Sequence, residues 1–246
     1  MTSLELICPD WPLANKINVC TTTRHGGVST GPYSELNLAH HVGDQLSSVQ
    51  ANRALLQQGL NLPTAPTWLN QTHGTHIVDA YDLSCQSAEA DAVYTNSVEH
   101  VCAVMTADCL PIVVCDENAS WVAVIHAGWR GLIYGVIENA VTTLAKYCRP
   151  SYVWLGPAIG PTAFEVGNDV YRIYTQKNPH LARCFAASCN GRWCLDIYAA
   201  ARIVLEDCEV NRIYGGDYCT FSDAKRFFSY RRDGATGRMA TLAWLK

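Results

Sequence analysis

Three short apolar runs follow one another in the middle of the chain, and they restrict the possible folds more than any other feature. They cover residues 101–106, 112–116 and 121–125. Each run is continuous rather than alternating, which is typical of strands that are buried on both faces of a sheet. Such strands need a covering layer on each side, so the sequence predicts a layered α/β protein.

Further strands and helices are predicted along the rest of the chain. Strands are expected at residues 17–23, 67–71, 76–81, 152–155, 213–214 and 239–245. Helices are expected at residues 47–58, 132–148, 169–176 and 196–207, the last of them with Asp196 as its N-cap. Because several strands follow one another directly, a mixed sheet is favoured over a plain doubly wound one. The chain has no repeat and no linker, so residues 1–246 are predicted to form a single domain.

The composition excludes several classes of partner. The formal net charge is −4 and no basic run is present, which speaks against binding to nucleic acid or to a membrane surface. No window approaches the ~20 apolar residues of a membrane span, and the N-terminus does not resemble a secretory signal. We therefore expect a cytoplasmic monomer that acts on small molecules. Its twelve cysteines are expected to be mostly reduced and buried.

A thiol and two imidazoles stand at the ends of predicted strands. Cys109 follows the run that ends at residue 106, His126 follows the run that ends at residue 125, and His73 follows residues 67–71. Two histidines and a cysteine suit zinc or copper, with a fourth coordination position left open for water or substrate. Cys109 and His126 alone also suit a thiolate nucleophile and its base. The intervals between the three residues match no local metal motif, so both chemistries remain open at this point.

Several arginines are candidates for binding an anionic group of a substrate. Arg24 and Arg130 each neighbour glycine in a predicted strand-end turn, and Arg231 and Arg232 are adjacent. The arginine fork binds phosphate or carboxylate through two hydrogen bonds, although each residue could equally be a solvated or salt-bridged one. His25 stands in the same glycine turn as Arg24 and could reach a substrate.

Two aspartates and one glycine are candidates for supporting roles. Asp108 directly precedes Cys109, and Asp217 stands in a polar strand end. Each could orient a histidine, although a capping role is the plainer alternative for Asp108. Gly131 precedes the predicted helix at residues 132–148, so free backbone N–H groups there could face an anion.

A set of motifs, in order along nearly the whole chain, is specific enough to indicate a family. The motifs are Thr23-Arg24-His25-Gly26-Gly27-Val28-Ser29, Leu36-Asn37-Leu38, Val42-Gly43-Asp44, Gln71-Thr72-His73-Gly74, Ala90-Asp91-Ala92, Thr106-Ala107-Asp108-Cys109-Leu110-Pro111, His126-Ala127-Gly128-Trp129-Arg130-Gly131, Gly156-Pro157-Ala158-Ile159-Gly160-Pro161, Phe164-Glu165-Val166-Gly167 and Phe228-Ser229-Tyr230-Arg231-Arg232-Asp233. Together they resemble the bacterial laccase-domain family. That family is also called multicopper polyphenol oxidoreductase or peptidoglycan editing factor.

The resemblance implies a fold, a metal and an activity. The fold would be a four-layer α/β/β/α arrangement related to the catalytic domain of cytotoxic necrotizing factor toxins. Zinc, or copper, would be bound by the catalytic residues His73, Cys109 and His126. The activity would be phosphorolysis of adenosine, inosine, guanosine or methylthioadenosine, together with deamination of adenosine. The substrate-binding candidates are then Arg24, His25, Asn37, Arg130 and Arg231.

Three other functions stay open at this point. In a thiol hydrolase, Cys109 would be the nucleophile and His126 the base, and a muropeptide precursor with a wrongly attached amino acid would be the substrate. A copper-dependent polyphenol oxidase fits less well, because the chain has eight histidines and no His-x-His pair. A binding module without activity explains neither the thiol nor the imidazoles at the strand ends.

Overall fold

Two sheets contain most of the strands that the apolar runs predicted. The computed structural model describes residues 4–83 and 88–246. Its strands are β1 (Leu6–Ile7), β2 (Ile17–Thr22), β3 (Ile77–Asp79), β4 (Ala92–Thr95), β5 (Cys102–Thr106), β6 (Leu110–Asp116), β7 (Val122–Ala127), β8 (Pro150–Leu155), β9 (Glu165–Val166), β10 (Phe185–Ala187), β11 (Trp193–Leu195), β12 (Arg212–Gly215) and β13 (Met239–Leu245). Its helices are α1 (Leu46–Gly59), α2 (Trp129–Tyr134), α3 (Val136–Leu144), α4 (Asn168–Lys177), α5 (Ile197–Asp207) and α6 (Tyr230–Asp233).

The six-stranded sheet is mixed, as the sequence predicted. Its strand order is β12-β8-β6-β7-β4-β3. The two outer pairs, β12 with β8 and β3 with β4, are parallel, and the pairs between them are antiparallel. An antiparallel sheet has the order β1-β2-β13-β5, and a small three-stranded sheet has the order β10-β11-β9. Neighbouring antiparallel strands run in opposite directions, so the start of one strand lies beside the end of the next.

Successive residues of β5 enter two different cores. Cys102 and Val104 belong to the large core that also contains the strands of the six-stranded sheet. Ala103 belongs to a second core with Leu56 of α1. Side chains alternate between the faces of a strand, so the four-stranded sheet is covered on both faces. This explains why the run is continuously apolar.

The helix predicted at residues 132–148 is interrupted. It starts earlier, at Trp129, and Gly135 divides it into α2 and α3. Gly135 has a φ of 102°, a left-handed conformation that glycine adopts without a steric penalty. The first turn therefore lies at Gly128 and Trp129, and not directly after Gly131 as predicted.

The strand predicted at residues 67–71 and the N-cap predicted at Asp196 have different outcomes. Residues 67–71 form only isolated bridges, one between Thr67 and Cys102 and one between Asn70 and Glu89, rather than the predicted strand. The side chain of Asp196 accepts a hydrogen bond from the backbone N–H of Ala199 at 2.9 Å, so it is the N-cap of α5 as predicted. An aspartate before an apolar helix is a direct signal, whereas strand pairing depends on distant partners.

The composition led us to expect reduced cysteines and no membrane-spanning segment. The cysteines within the described residues are free thiols; Cys8 and Cys189 are exposed, whereas Cys20, Cys102, Cys115 and Cys184 are buried. Cys85 lies outside the described residues. None of the helices in the described part of the chain combines the length and the apolar character of a transmembrane segment.

Candidate metal centre

Three neighbouring strands bring polar residues to one edge of the six-stranded sheet. Cys109 directly precedes β6, and His126 lies in β7, where it pairs with Pro111 of β6. Asp91 directly precedes β4, and its carbonyl accepts the backbone N–H of His126 at 2.7 Å. Because these strands are antiparallel neighbours, the start of β6, the end of β7 and the start of β4 lie side by side.

The loop before β3 completes a cluster of three possible metal ligands. One ligand atom from each of His73, Cys109 and His126 lies within 4.8 Å of the other two. The thiol of Cys109 is 3.9 Å from Nε2 of His73, and the two imidazole rings meet edge to face with their centroids 4.8 Å apart. The structure therefore brings together the three residues that the sequence singled out.

Asp91 is the buried residue that holds this cluster together. One carboxylate oxygen accepts Nδ1 of His126 at 2.7 Å and the backbone N–H of His73 at 2.9 Å. The other accepts the backbone N–H of Gly74 at 2.6 Å and both the N–H and the hydroxyl of Thr72. Burial by itself raises the pKa of this carboxyl group, but the hydrogen bonds and the charge of His126 outweigh burial and hold the pKa at about 2. A carboxylate at this place fixes which ring nitrogen of His126 faces Cys109.

Cys109 and His126 form a charge pair. Burial raises the pKa of the thiol, but the charge and hydrogen bond of His126 and the contact with His73 lower it further than burial raises it. Burial lowers the pKa of His126, but the charge of Cys109 and the hydrogen bond to Asp91 raise it overall. The sulfur is therefore a ready thiolate, which is the form that binds metals and attacks carbonyl carbons.

The backbone around the cluster is unusual in three places. His73 has a φ of 59° and Asp108 a φ of 104°, both in a region that residues with side chains rarely adopt. A Cβ added to Gly128 would lie 2.9 Å from Cδ2 of His73 and 3.2 Å from Sγ of Cys109. The two side chains thus reach their places because residue 128 has no side chain. Backbone outliers of this kind concentrate at functional sites.

Two cavities adjoin the cluster and share four of their bordering residues. We call the larger one, of about 460 Å³, the Arg238 cavity; it is bordered by all three cluster residues, Met105, Thr106 and Arg238, among others. The smaller one, of about 220 Å³, is the Trp129 cavity; it is bordered by Trp129, Arg130, Phe164 and Arg231 as well as by His73 and Cys109. Small molecules therefore have room in two places beside the Cys109–His73 pair.

Two of the five substrate-binding candidates border the Trp129 cavity, and Arg24 borders neither cavity at the cluster. Arg130 and Arg231 are exposed residues at the Trp129 cavity. The guanidinium of Arg130 lies 4.2 Å from the ring centroid of Trp129, and Nη1 of Arg231 donates to the carbonyl of Glu165 at 2.6 Å. Arg24 donates instead to the carbonyls of Ser34 and Ala224, so it ties two loops together.

The other two substrate-binding candidates make contacts within the protein. His25 lies 3.3 Å from the carboxylate of Glu35 and 3.9 Å from that of Glu5. Asn37 is fully buried; its amide donates to Ala39 and Asp44, and its oxygen accepts the backbone N–H groups of Ala39 and Arg238. Neither borders the two cavities at the cluster.

The two aspartates predicted to support the cluster are placed differently. Asp108 is buried; it accepts the hydroxyl of Thr220 at 2.6 Å and the backbone N–H of Arg231 at 2.6 Å. It thus fastens the first turn of α6 beside Cys109, which is the capping alternative rather than contact with a histidine. Asp217 is exposed and is absent from the residues bordering both cavities.

Sequence reasoning did not single out Asp91 or Arg238 as site residues. Asp91 had a signal, since a charged residue between two alanines directly precedes a short apolar run. Arg238 had a weaker one, because it stands just before the last strand. Strand pairing brings both residues to the cluster, because β4 lies beside β7 and β13 lies beside β5.

Nearly the whole chain matches a protein family and several relatives of the same length. The sequence model of a family described as "Multi-copper polyphenol oxidoreductase laccase" matches residues 18–246. "Purine nucleoside phosphorylase YfiH" of Shigella flexneri is 45% identical over 241 residues, which cover 98% of this chain and 99% of that protein. "Purine nucleoside phosphorylase" of Haemophilus influenzae is 43% identical over 99% of this chain and 100% of its own length. The crystal structure of protein NMB0706 from Neisseria meningitidis has a TM-score of 0.92 at 44% identity and covers 98% of this chain and 99% of that chain.

Proposed function

The chain belongs to the multi-copper polyphenol oxidoreductase laccase family, and we propose that it is a purine nucleoside phosphorylase whose active site is built on His73, Cys109 and His126. The observation that supports this most is the convergence of two imidazoles and a thiol beside two cavities. Full-length relatives that bear the name purine nucleoside phosphorylase support the reaction class.

The three side chains fit a zinc ion by chemistry and by spacing. Two imidazole nitrogens and a thiolate are preferred zinc ligands, and a catalytic zinc keeps a fourth position open. Ligand atoms around a tetrahedral zinc lie about 3.3–3.7 Å apart, and those of the cluster lie within 4.8 Å of one another. The close approach of His73 and Cys109 to Gly128 is consistent with residues gathered around one small ion. Copper accepts the same ligands. When bound, the metal would supply a Lewis acid beside the substrate.

Phosphorolysis exchanges one bond at the ribose for another. A phosphate oxygen bonds to C1′ as the bond from C1′ to purine N9 breaks, and the electron pair of that bond stays with the purine. The proton of hydrogen phosphate ends on the purine nitrogen, so the products are ribose 1-phosphate and the free base. This chain's residues would bind and orient both reactants, which by itself lowers the barrier.

The Trp129 cavity has the side chains that a purine base requires. The aromatic residues Trp129 and Phe164 border it, and the guanidinium groups of Arg130 and Arg231 lie over their rings at 4.2 and 5.4 Å. Adenosine, inosine, guanosine and methylthioadenosine share the purine ring, so we propose all four as substrates. Deamination of adenosine, in which water replaces the amino group at C6 and ammonia leaves, is proposed as a second reaction of this site. For Arg24 and Asn37 we propose structural roles, because their polar atoms are engaged within the protein.

A thiol hydrolase is the second candidate, and one observation favours it. The carboxylate of Asp91 lies 2.7 Å from Nδ1 of His126, and the ligand atoms of His126 and Cys109 lie within 4.8 Å of each other. That series resembles the acid, base and nucleophile of acyl-transfer enzymes. Its substrate would be a cell-wall precursor with a wrongly attached amino acid. Phenol oxidation is less supported, because residues 4–83 and 88–246 contain a single group of ligands suited to a metal.

We also propose a four-layer fold and a cytoplasmic location. Packing of α1 against one face of the four-stranded sheet supports a four-layer α/β/β/α arrangement related to the toxin catalytic domain. Free thiols in the described residues support a cytoplasmic location.

One pair of variants tests whether the proposed function depends on the metal. His73→Ala removes a metal ligand but leaves Cys109, His126 and Asp91 in contact. Elemental analysis of the purified protein and release of hypoxanthine from inosine with phosphate are measured on the same preparation. We expect His73→Ala to lose both metal and turnover, while His180→Ala, an exposed histidine away from the cluster, retains both. Turnover that survives the loss of metal would overturn the metal-dependent function.

A further inference from the structure

The two cavities at the cluster meet at shared residues. His73, Ala107, Cys109 and Tyr230 border both the Arg238 cavity and the Trp129 cavity. Molecules bound in the two cavities would therefore be neighbours, both beside the Cys109–His73 pair. A displacement at a ribose carbon requires neighbouring sites of this kind for the incoming and the leaving group.

Arg238 is fixed beside the turn that contains Cys109. It directly precedes β13, whose first residue, Met239, pairs with Thr106 at the end of β5. Its backbone N–H donates to the buried side chain of Asn37 at 3.0 Å. Antiparallel pairing thus sets Arg238 beside Ala107, two residues before Cys109. Its position follows from the sheet and not from a flexible loop.

The guanidinium of Arg238 keeps donors available for a ligand. Nη1 donates to the carbonyls of Thr236 and Gly237, both at 2.9 Å. Within residues 4–83 and 88–246, no acceptor meets its Nε or its Nη2. The side chain is half-buried, and its guanidinium lies 5.8 Å from the ring centroid of Tyr230. A partly desolvated cation attracts an anion more strongly than an exposed one does.

A second polar group on the wall of the same cavity has no partner. Thr106 borders the Arg238 cavity and is 1% exposed. Its hydroxyl forms no hydrogen bond with any described residue. Buried hydroxyl groups are nearly always hydrogen-bonded, so Thr106 has an unused donor at the wall of this cavity.

The other arginines near the cluster are less suited to an anion. Arg232 donates to the carbonyls of Thr220, Phe221 and Phe227 and pairs with Asp233, so its donors are engaged. Arg130 is exposed and stacks on Trp129 at the Trp129 cavity. Bulk water competes with an anion at such an exposed cation.

We propose that Arg238 forms the binding site for the tetrahedral oxyanion, inorganic phosphate, and that the purine base of the nucleoside occupies the Trp129 cavity. This assignment rests on the proposed function. In it, the phosphate oxygen that bonds to C1′ comes from the Arg238 side, and the base leaves with the electron pair of the C1′–N9 bond on the Trp129 side. The proton that phosphate gives up ends on the base, so atoms and charge balance.

Steady-state kinetics of arginine variants test the assignment. In Arg238→Gln, we expect KM for phosphate to rise by at least about tenfold, which corresponds to about 1.4 kcal/mol, while KM for inosine and the metal content change little. Arg238→Lys should recover part of the loss, because it keeps the charge but not the fork. Arg212→Gln, an exposed arginine paired with Glu117 away from the cluster, is the matched control and should behave as wild type. A rise in KM for phosphate confined to Arg130→Gln would overturn the assignment.

A binding measurement separates failure of this assignment from failure of the proposed function. Inorganic phosphate is titrated into wild type and Arg238→Gln without nucleoside, and the heat of binding is measured. Phosphate binding by wild type that is lost in Arg238→Gln supports the phosphate site, whether or not the proteins convert nucleosides. If wild type binds phosphate but converts no nucleoside, the phosphorylase function alone is overturned. Equal binding by both proteins, or no binding by wild type, would overturn the phosphate site. Circular dichroism checks that Arg238→Gln is folded, and Arg238→Lys provides a second variant if it is not.

Discussion

Replacing Asp91 by asparagine should both destabilise the protein and weaken metal binding. The carboxylate is 0% exposed and accepts hydrogen bonds from Nδ1 of His126 and from the backbone N–H groups of His73, Gly74 and Thr72. Asparagine replaces one of the two oxygens with an NH₂ group, which cannot accept. Whichever oxygen is replaced, at least two of these donors lose their acceptor.

The size of the effect follows from those lost acceptors. A buried donor without an acceptor costs about 1–3 kcal/mol, so two cost roughly 2–6 kcal/mol of unfolding free energy. For a chain of this length, the lower bound corresponds to a fall in Tm of at least about 4 °C. Because Asp91 orients His126 and the loop that carries His73, affinity for zinc should also fall by about 10–100-fold.

Asp116→Asn is the matched control for this variant. Asp116 is also fully buried and accepts three backbone N–H groups, from Asn118, Ser120 and Trp121, but it lies at the opposite end of β6 from Cys109. Differential scanning calorimetry should show a lower Tm for both variants. Competition with a chelator should show weaker zinc binding for Asp91→Asn alone. Wild-type zinc affinity in Asp91→Asn would refute the role assigned to this carboxylate.

Three further predictions concern the surroundings of the site and the glycine turn. Gly128→Ala places a Cβ 2.9 Å from His73 and 3.2 Å from Cys109, so zinc affinity should fall at least about tenfold. Unchanged zinc affinity in the chelator competition assay would contradict this packing argument. Arg24→Gln removes hydrogen bonds to Ser34 and Ala224 and should lower the unfolding free energy by about 1–3 kcal/mol without raising KM for phosphate; urea unfolding and kinetics check the two parts. The backbone N–H of Gly26, and then His25, hold the pKa of Glu35 below its usual range, so Glu35 stabilises the folded state above its unfolded pKa. Glu35→Gln should therefore be less stable than wild type by under about 1 kcal/mol near neutral pH, and the difference should vanish as the pH falls below the folded pKa; a difference that grows in acid would show the opposite sign.

The strands that carry the cluster could be predicted from local signals, because apolar runs indicate them. That Cys109 and His126 meet depends on the pairing of β6 with β7, which the sequence indicated only through the resemblance to the family. The mixed sheet likewise followed from strands that succeed one another without a helix. His73 was harder, since residues 67–71 form isolated bridges and the residue is held by its left-handed backbone and by Asp91.

The partners of long polar side chains could not be predicted. Arg24 was a substrate-binding candidate because it stands in a glycine turn, yet its guanidinium reaches back to carbonyls of the same protein. Arg238 had no comparable turn beside it, and its place depends on pairing between β5 and β13, which are more than a hundred residues apart in sequence. The break at Gly135 was hidden for a different reason, because the apolar period continues through it.

Zinc K-edge X-ray absorption of the protein loaded with one equivalent of zinc tests the central claim most directly. If His73, Cys109 and His126 bind the ion together, the spectrum contains one sulfur at about 2.3 Å and nitrogen or oxygen atoms at about 2.0–2.1 Å. The sulfur contribution should disappear in Cys109→Ser and persist in Cys189→Ser, an exposed thiol outside the cluster. A wild-type spectrum without sulfur, or with the same sulfur contribution in Cys109→Ser, would contradict a metal centre at these three residues.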